Sequence, residues 1–311
     1  MSVQEARDPR KEFGAAVTSA AGLDSRIVVL SADSGGSSGF SDFIKKWPER
    51  YFEFGIMEQG VVGIASGMAT TGKIPVFCAI APFVTSRPFE MVRNDIGYMR
   101  QNVKIAGRNG GITYSDLGST HHSLEDFAIM RMIPGMTVLC PQDPNEIKNS
   151  AAAMLEHDGP VYMRIGNEPV PVFTDDKPFT IGKAEVYREG GDVSIISTGT
   201  LTAVVLEAAG VLAEKGIHAR VIGMPTICPL DENAVGEAAK KTGRIVTVEE
   251  HYVPGGLGSA VCEFCAANAP VPVKMLGIPK SYAGAGPYRE LLASYNLDRD
   301  GIVRSVIETC I

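Results

Sequence analysis

The sequence has no long apolar run, no excess of positive charge and few cysteines. No apolar segment approaches the roughly 20 residues that a membrane-spanning helix needs, so we expect no membrane partner. The formal net charge of the 311 residues is -7. Nucleic-acid-binding proteins normally carry a basic surface, so we expect no nucleic-acid partner. The first residues are charged, unlike a signal peptide, which favours a cytoplasmic location.

Six cysteines are scattered along the chain, mostly in apolar stretches. Cys262 and Cys265 form a lone Cys-x-x-Cys, without a second pair or a histidine cluster nearby. A tetrahedral zinc site needs four ligands, so we interpret these two residues as buried thiols on a helix. Thiols of this kind fit a reducing cytoplasm.

Hydrophobic patterning alternates between strand and helix along most of the chain. Short apolar runs in the first half predict strands at 27–33, 51–54, 74–80, 103–107, 136–141 and 161–165. Helical spacing separates them, as at 60–71, 89–100 and 145–155. This alternation is typical of crossover units around a mainly parallel sheet, in which ligands bind at the carboxyl ends of the strands.

The pattern is interrupted at 167–190, where prolines and charged residues occur without a helical period and indicate a linker. Strands are predicted again at 193–198, 219–224, 244–250 and 273–278. The sequence therefore predicts an α/β protein with two three-layer α/β/α domains, each on a mainly parallel sheet. The predicted boundaries are 1–166 for the first domain and 191–311 for the smaller second domain.

Glu58 lies between the predicted strand that ends at Phe54 and the helix predicted at 60–71. Its neighbours Ile56 and Val61 are apolar, so we expect the carboxylate to lie in apolar surroundings. A helix-capping glutamate at an ordinary strand-to-helix turn would show the same pattern. Spacing alone therefore leaves the role of Glu58 open.

The run IMEQGVVGIASGMA at 56–69 resembles the segment of transketolases, deoxyxylulose-phosphate synthases and related enzymes that carries their invariant glutamate. The resemblance implies that the protein uses thiamine diphosphate and that Glu58 is both catalytic and cofactor-binding. Glu58 would hydrogen-bond the N1′ atom of the aminopyrimidine ring and so help the 4′-amino group to remove the C2 proton. In such enzymes the cofactor supplies the reactive carbon and the protein supplies a positioned acid.

Residues 81–99 resemble the family segment whose aromatic side chains pack against the aminopyrimidine. Phe83 matches best, and Phe89 is a second candidate because a shift of one residue also fits. A stacking contact is worth ~0.5–1.5 kcal/mol beyond burial. Without the resemblance, either phenylalanine is equally well explained as a core residue.

Residues 107–146 resemble a transketolase segment with a Gly-x-Thr-His core, which Gly118, Thr120 and His121 match. The resemblance implies that His121 lines the channel to the thiamine C2 carbon, binds substrate and transfers protons. A surface histidine in a glycine-rich loop is the alternative, and the adjacent His122 leaves the assignment ambiguous.

Two positions depart from the family pattern. Leu117 stands where many members have an aspartate that contacts a sugar hydroxyl, and Asp116, one residue away, is the candidate substitute. Asn109 stands where a histidine contacts the phosphate side of the sugar, so Asn109 is a candidate substrate-binding residue. These departures concern the choice of sugar and not the cofactor.

Arg10, Ser37 and Arg164 match family residues that bind the substrate phosphate. Guanidinium groups bind phosphate oxygens in pairs, and a glycine- and serine-rich loop adds N–H donors. A single arginine at a strand end is more often part of a surface ion pair. The match of all three positions favours the phosphate site.

No Gly-Asp-Gly sequence occurs in the chain. Transketolase-like enzymes use this motif, in a separate domain, to hold a metal ion and the diphosphate. The resemblance covers only the second half of a full-length enzyme. It therefore implies an N-terminal partner subunit that carries Mg²⁺ or Ca²⁺, with two copies of each subunit in a heterotetramer.

Four functions are compatible with these residues. The leading one is the C-terminal subunit of a split transketolase of pentose phosphate type, which transfers a two-carbon ketol unit from a ketose phosphate to an aldose phosphate. The second is the β subunit of a 2-oxo acid dehydrogenase E1 component, which has the same glutamate but no sugar phosphate for Arg164 to hold. A deoxyxylulose-phosphate synthase fragment and a non-catalytic scaffold subunit complete the set.

Overall fold

The computed structural model describes residues 6–310 and contains two sheets with helices on both faces. The strands in this part of the chain are β1 Ile27–Ser31, β2 Tyr51–Glu53, β3 Ile74–Ile80, β4 Lys104–Arg108, β5 Thr137–Leu139, β6 Val161–Arg164, β7 Glu185–Arg188, β8 Val193–Ser197, β9 Ala219–Gly223, β10 Thr226–Cys228, β11 Ile245–Tyr252 and β12 Val273–Ile278.

The α-helices in the same range are α1 Pro9–Leu23, α2 Ser41–Lys46, α3 Glu58–Thr70, α4 Ala81–Val84, α5 Phe89–Met91, α6 Asp126–Arg131, α7 Pro144–Glu156, α8 Leu201–Glu214, α9 Glu232–Thr242, α10 Leu257–Asn268, α11 Tyr288–Ser294 and α12 Arg299–Cys310. A π-helix over Val92–Tyr98 follows α5 directly, where the sequence predicts one regular helix at 89–100. π-helical turns are frequent at functional sites.

The first sheet has seven strands in the order β10-β5-β6-β4-β3-β1-β2. All neighbouring pairs are parallel except β10 and β5. Strands β1, β4, β5 and β6 are buried along their whole length because helices cover both faces. Their continuous apolar runs are the pattern from which a parallel sheet was predicted.

The second sheet has five strands in the order β12-β11-β8-β9-β7, and only β7 is antiparallel to its neighbour. The predicted fold class, two three-layer α/β/α domains on mainly parallel sheets, is confirmed. Strand β10 belongs to the second half of the chain but pairs with β5 of the first sheet, so the two halves share a sheet edge.

Strand β7 lies inside the stretch predicted as a linker. Its side chains are half-buried or exposed, and it occupies a sheet edge, so it has no apolar run from which it could be predicted. The domain boundaries at 166 and 191 remain a prediction.

Cys262 and Cys265 lie on α10, as predicted. Cys265 is buried, whereas Cys262 is only half-buried. Within residues 6–310, no helix combines the length and apolarity needed to cross a membrane. The same range contains no cluster of three or more side chains suited to hold a metal ion.

Gly39 fixes the loop after β1 against the start of α1. Its φ is +85°, and a Cβ at this position would lie 2.3 Å from the backbone oxygen of Arg10. We therefore expect Gly39→Ala to combine left-handed backbone strain with a backbone clash. Gly72→Ala is the matched control, because Gly72 has a φ of +83° with no atom within 4 Å of an added Cβ.

Urea unfolding of both variants tests this interpretation. Gly72→Ala should lower the free energy of unfolding by about 1–2 kcal/mol, the cost of left-handed geometry. Gly39→Ala should lower it by clearly more. Equal losses would show that the loop moves away from α1 without cost.

Candidate active site

Five of the predicted site residues follow four strands that are adjacent in the first sheet. Ser37 follows β1, Glu58 follows β2, Phe83 follows β3, and Asn109 and His121 follow β4. The order β4-β3-β1-β2 places all these connections at one carboxyl edge. Ligands of open parallel sheets bind at this edge.

Glu58 is the first residue of α3, and it is 3% exposed. Its carboxylate does not cap the helix, because Met57 is the N-cap residue and the cap carries no side-chain hydrogen bond. Instead, Oε1 accepts a hydrogen bond of 2.6 Å from Nη1 of Arg87. The helix-capping explanation therefore does not describe this glutamate.

Phe83 is half-buried at the end of α4, and its ring contacts two site residues. The ring of His121 meets it edge-on, with the centroids 5.2 Å apart. The Cζ atom of Arg87 lies 3.9 Å from the Phe83 centroid. Phe89 packs instead against the core of the first sheet. The structure thus brings Phe83, and not Phe89, together with His121.

His121 is half-buried and has two further neighbours. Its Nδ1 lies 3.0 Å from the hydroxyl of Thr120, and its ring centroid lies 5.6 Å from that of Tyr114. Tyr114 was not predicted, because a lone tyrosine in a loop gives no sequence signal. The adjacent His122 is buried, and burial lowers the pKa of its ring. Of the two histidines, His121 is the one whose ring packs against Phe83.

The serine loop, residues 34–38 after β1, is held by an arginine that the sequence did not indicate. Arg108, at the end of β4, donates from Nε to Ser38 Oγ at 3.1 Å and from Nη2 to Ser37 Oγ at 2.8 Å. Its Nη1 donates to Asn109 Oδ1 at 2.7 Å. Arg108 is 4% exposed, and Asn109 has a left-handed φ of 56°. Two predicted substrate residues, Ser37 and Asn109, are thus oriented by one buried guanidinium.

Arg10 lies near the same loop. Its guanidinium pairs with Asp8 at 3.0 Å, and Asp8 also caps α1. Arg10 and Ser37 line a cleft of about 610 Å³ together with the basic residues Lys11 and Lys46. The carboxylates of Asp8 and Asp42 line the same cleft, so it carries charges of both signs.

Arg164, the last residue of β6, lies at the contact between the two halves of the chain and next to Gly110, the residue after Asn109. It is 4% exposed, and it forms an ion pair with Asp126 through Nε and Nη2. Its Nη1 donates to the carbonyl of Glu250 at 2.7 Å, and its Nη2 also donates to the carbonyl of Ser123 at 2.9 Å. This placement does not support the phosphate role expected for Arg164, because its donors are already engaged.

Asp126 is fully buried beside this arginine. Burial alone would raise the pKa of Asp126, but the charge and hydrogen bonds of Arg164 hold it below its usual value. Tyr162 also donates its hydroxyl to Asp126 at 2.5 Å. The pair therefore connects β6 with α6, and the bond from Arg164 to the Glu250 carbonyl adds β11.

Asp116 and Leu117, at and next to the position that departs from the family pattern, are both exposed. They belong to a short helical turn, and Leu117 is 46% exposed.

The two residues before Glu58 are also exposed. Ile56 is 75% exposed, and Met57 is 43% exposed. In the chain, the buried carboxylate is therefore preceded by exposed apolar side chains.

The arrangement around Glu58 fits an aminopyrimidine ring. Arg87 presents a flat cationic group to the site, with a donor edge on the Glu58 carboxylate and its Cζ above the Phe83 ring. A pyrimidine that hydrogen-bonds a carboxylate through its edge and stacks on a phenylalanine uses the same two contacts. Glu58 and Phe83 are thus the residues that could hold the cofactor.

Comparisons with known proteins identify the family of the chain. Residues 5–171 match the family model for the transketolase pyrimidine binding domain, and residues 182–302 match that for the transketolase C-terminal domain. The chain belongs to the transketolase family. The pyrimidine binding domain implies thiamine diphosphate as the cofactor of this family member.

Two similar transketolase subunits cover nearly the whole chain. A subunit of an apulose-4-phosphate transketolase from Phocaeicola vulgatus is 41% identical over 301 residues, which are 96% of both chains. A 6-deoxy-6-sulfo-D-fructose transketolase subunit from a Clostridium species is 41% identical over 286 residues, 92% of this chain and 89% of the relative. The chain also matches 46% of the length of a 1-deoxy-D-xylulose-5-phosphate synthase from Geobacter sulfurreducens, at 37% identity.

A solved structure of a split gene transketolase, described as an inactive beta4 tetramer, superimposes with a TM-score of 0.91. It is 40% identical, and the match covers 97% of each chain. This chain therefore belongs to a thiamine-dependent family of transferase type, and the relatives that it matches over most of their length are named as transketolase subunits.

Replacing Asp126 with Asn tests the interface role of Arg164. The change leaves a buried guanidinium without its counter-charge, so we expect the free energy of unfolding to fall by about 3–5 kcal/mol. Urea unfolding followed by circular dichroism measures the loss. Asp176→Asn is the control, because it removes an exposed partner of Lys148 and should change the stability much less. Equal effects of the two changes would contradict a structural role for the buried pair.

Proposed function

We propose that this chain is the C-terminal subunit of a split transketolase that transfers a two-carbon ketol unit from a ketose phosphate to an aldose phosphate. The observation that carries the proposal is the buried carboxylate of Glu58, which Arg87 connects to the Phe83 ring. The Phe83 ring in turn contacts His121. A carboxylate, an aromatic face and a histidine are the side chains that this chemistry requires from the pyrimidine domain.

Glu58 has the catalytic role at the cofactor. Bound thiamine diphosphate supplies the nucleophilic carbon that attacks the ketose carbonyl. The carboxyl of Glu58 holds the N1′ edge of the ring, and Phe83 supports the ring face. Because the carboxylate is 3% exposed, little water competes for this hydrogen bond.

His121 has the substrate role. Its Nδ1 is held by Thr120, so Nε2 is the ring nitrogen that can reach a substrate oxygen. The edge-on contacts with Phe83 and Tyr114 fix the plane of the imidazole. We assign to it the binding of the sugar hydroxyl or carbonyl oxygen and the transfer of a proton at that atom.

The phosphate end of the sugar belongs to Arg10, Ser37 and Asn109. Arg10 and Ser37 share a cleft, and Arg108 connects Ser37 to Asn109. Arg164 is not part of this group, because Asp126 and two carbonyls engage it.

A partner subunit completes the site. We place the diphosphate pocket and a Mg²⁺ or Ca²⁺ ion on an N-terminal transketolase subunit, with two copies of each chain in a heterotetramer. The description of the relatives as subunits, and of the solved structure as a split gene product, supports a divided enzyme. The exposed apolar residues Ile56 and Met57, which precede Glu58 in the chain, are suited to the contact with the partner. The unpaired cysteines agree with a cytoplasmic location.

Two of the alternatives retain the same glutamate. The β subunit of a 2-oxo acid dehydrogenase and a deoxyxylulose-phosphate synthase fragment both require thiamine, but they use a 2-oxo acid as the donor. The polar groups around the Arg10 cleft favour a sugar phosphate and so disfavour the 2-oxo acid dehydrogenase. They do not separate the synthase, whose product is also a sugar phosphate, so the choice of donor decides there. A non-catalytic scaffold would not need the buried Glu58 carboxylate.

Glu58→Gln tests the catalytic assignment. In the complex reconstituted with its partner subunit, we expect kcat for ketol transfer to fall by about 10²–10⁴, the contribution of a positioned acid. Glu90→Gln is the control, since Glu90 is exposed on the neighbouring helix α5. Activity that persists in Glu58→Gln would contradict the proposal and favour the scaffold.

A donor comparison separates the enzyme alternatives. The reconstituted wild-type complex should transfer a two-carbon unit from a ketose phosphate to an aldose phosphate and release no CO₂ from pyruvate. Product analysis with both donors measures this directly. Release of CO₂ from pyruvate, with no transfer from the ketose phosphate, would assign the chain to one of the decarboxylating enzymes.

A further inference from the structure

Arg87 lies between the two residues assigned to the cofactor ring. It belongs to the turn between α4 and α5, and its backbone N–H donates to the carbonyl of Pro82 at 3.1 Å. Its Nη1 donates to Glu58 Oε1 at 2.6 Å, and its Cζ lies 3.9 Å from the Phe83 centroid. One guanidinium thus uses both contacts that the aminopyrimidine would need.

These contacts cannot be shared. A guanidinium is a flat cation with donors on its edge and a face that packs on aromatic rings. While it occupies the Phe83 face and the Glu58 oxygen, a pyrimidine ring cannot occupy the same atoms. We propose that Arg87 is a placeholder: in the cofactor-free subunit it fills the aminopyrimidine position, and it must withdraw for the cofactor to bind.

The burial of Glu58 explains why a placeholder is useful. A carboxylate removed from water is costly unless it is paired and hydrogen-bonded. The Glu58 side chain is 4% exposed, and in the described part of the chain Arg87 is its ion-pair partner. Before the cofactor arrives, Arg87 therefore supplies the charge and donor that the cofactor ring later replaces.

The partial exposure of Arg87 explains why its side chain can leave this position. Its side chain is 35% exposed, about nine times the exposed fraction of its partner. Among the side-chain hydrogen bonds of the described residues, the bond to Glu58 is the one that Arg87 makes. A long side chain on a turn, held at one end by one ion pair, can rotate into solvent without disturbing the sheet.

This inference rests on the proposed role of Glu58 and adds a consequence for affinity. Suppose that Arg87 is in place in most molecules of the free enzyme. The apparent dissociation constant of the cofactor is then the intrinsic constant divided by the small fraction of molecules in which Arg87 has withdrawn, so the apparent constant is raised. Removing the guanidinium abolishes the competition. It also leaves Glu58 unpaired in the free enzyme, which favours the bound state further.

Arg87→Ala tests the placeholder. Isothermal titration of thiamine diphosphate with Mg²⁺ into the reconstituted complex should show about threefold to tenfold tighter binding than in the wild type, the range of a partly exposed ion pair. The melting temperature of the cofactor-free variant should fall, and the shift on adding the cofactor should grow. Arg93→Ala is the control, because Arg93 is an exposed arginine six residues later that makes no bond to Glu58. This variant should bind the cofactor as the wild type does.

Binding that is unchanged or weaker in Arg87→Ala would overturn the inference, because Arg87 would then support the bound cofactor or ignore it. If that variant does not fold, Arg87→Lys decides in the same way. Lysine keeps the positive charge but lacks the flat guanidinium that packs on the Phe83 ring. It should compete less well with the cofactor ring, so the cofactor should bind more tightly than to the wild type.

A ketol-transfer assay of Glu58→Gln, run beside the titration of Arg87→Ala, separates the two hypotheses. If Glu58→Gln retains full ketol transfer, the proposed role of Glu58 fails and the placeholder fails with it. If it loses activity while Arg87→Ala shows no tighter binding, only the placeholder fails.

Discussion

A carboxylate withdrawn from water needs a partner that offsets its lost hydration, and Glu58 is the residue of the site on which this constraint acts. It begins α3, where the strand-to-helix turn places it at the carboxyl edge of the first sheet. It is 3% exposed, so little water reaches it. The guanidinium of Arg87 supplies the pairing charge, and Phe83 supports that guanidinium from below. Glu58 and Phe83 thus hold a flat group that donates hydrogen bonds, which here is the guanidinium of Arg87.

The parallel sheet provides the second constraint. Four adjacent strands place the serine loop, Glu58, Phe83 and His121 at one edge of the sheet. Ser37 and His121 are brought together in this way although they are 84 positions apart in the sequence. The fold also separates two kinds of arginine. Arg108 orients the serine loop next to the cleft, whereas Arg164 holds β6 against the second half of the chain. Similar residue types at strand ends thus perform different tasks.

Much of the fold could be predicted from the sequence, because buried parallel strands are nearly continuous apolar runs. Each of the ten predicted strands corresponds to an observed strand, with ends that differ by a few residues. Strands β7 and β10 could not be predicted. The first is a half-exposed edge strand, and the second has three residues and pairs across the two halves of the chain.

The site was predictable only in part, for a related reason. Glu58, Phe83 and His121 stand in sequence patterns with recognisable neighbours, and the structure brings them to one edge. The tasks of Arg87, Arg108 and Arg164 depend on hydrogen bonds to residues that are 29, 71 and 86 positions away, and no local pattern encodes such contacts. Arg164 shows the limit most clearly, because its position at a strand end gives no sign that Asp126 already engages it.

The most direct test of the central claim is a structure of the reconstituted two-subunit complex with thiamine diphosphate bound. The account predicts a Glu58 carboxylate within hydrogen-bond distance of the ring N1′ atom, with the ring against Phe83. A Glu58 side chain that faces bulk water, with the cofactor ring bound away from this sheet edge, would contradict it.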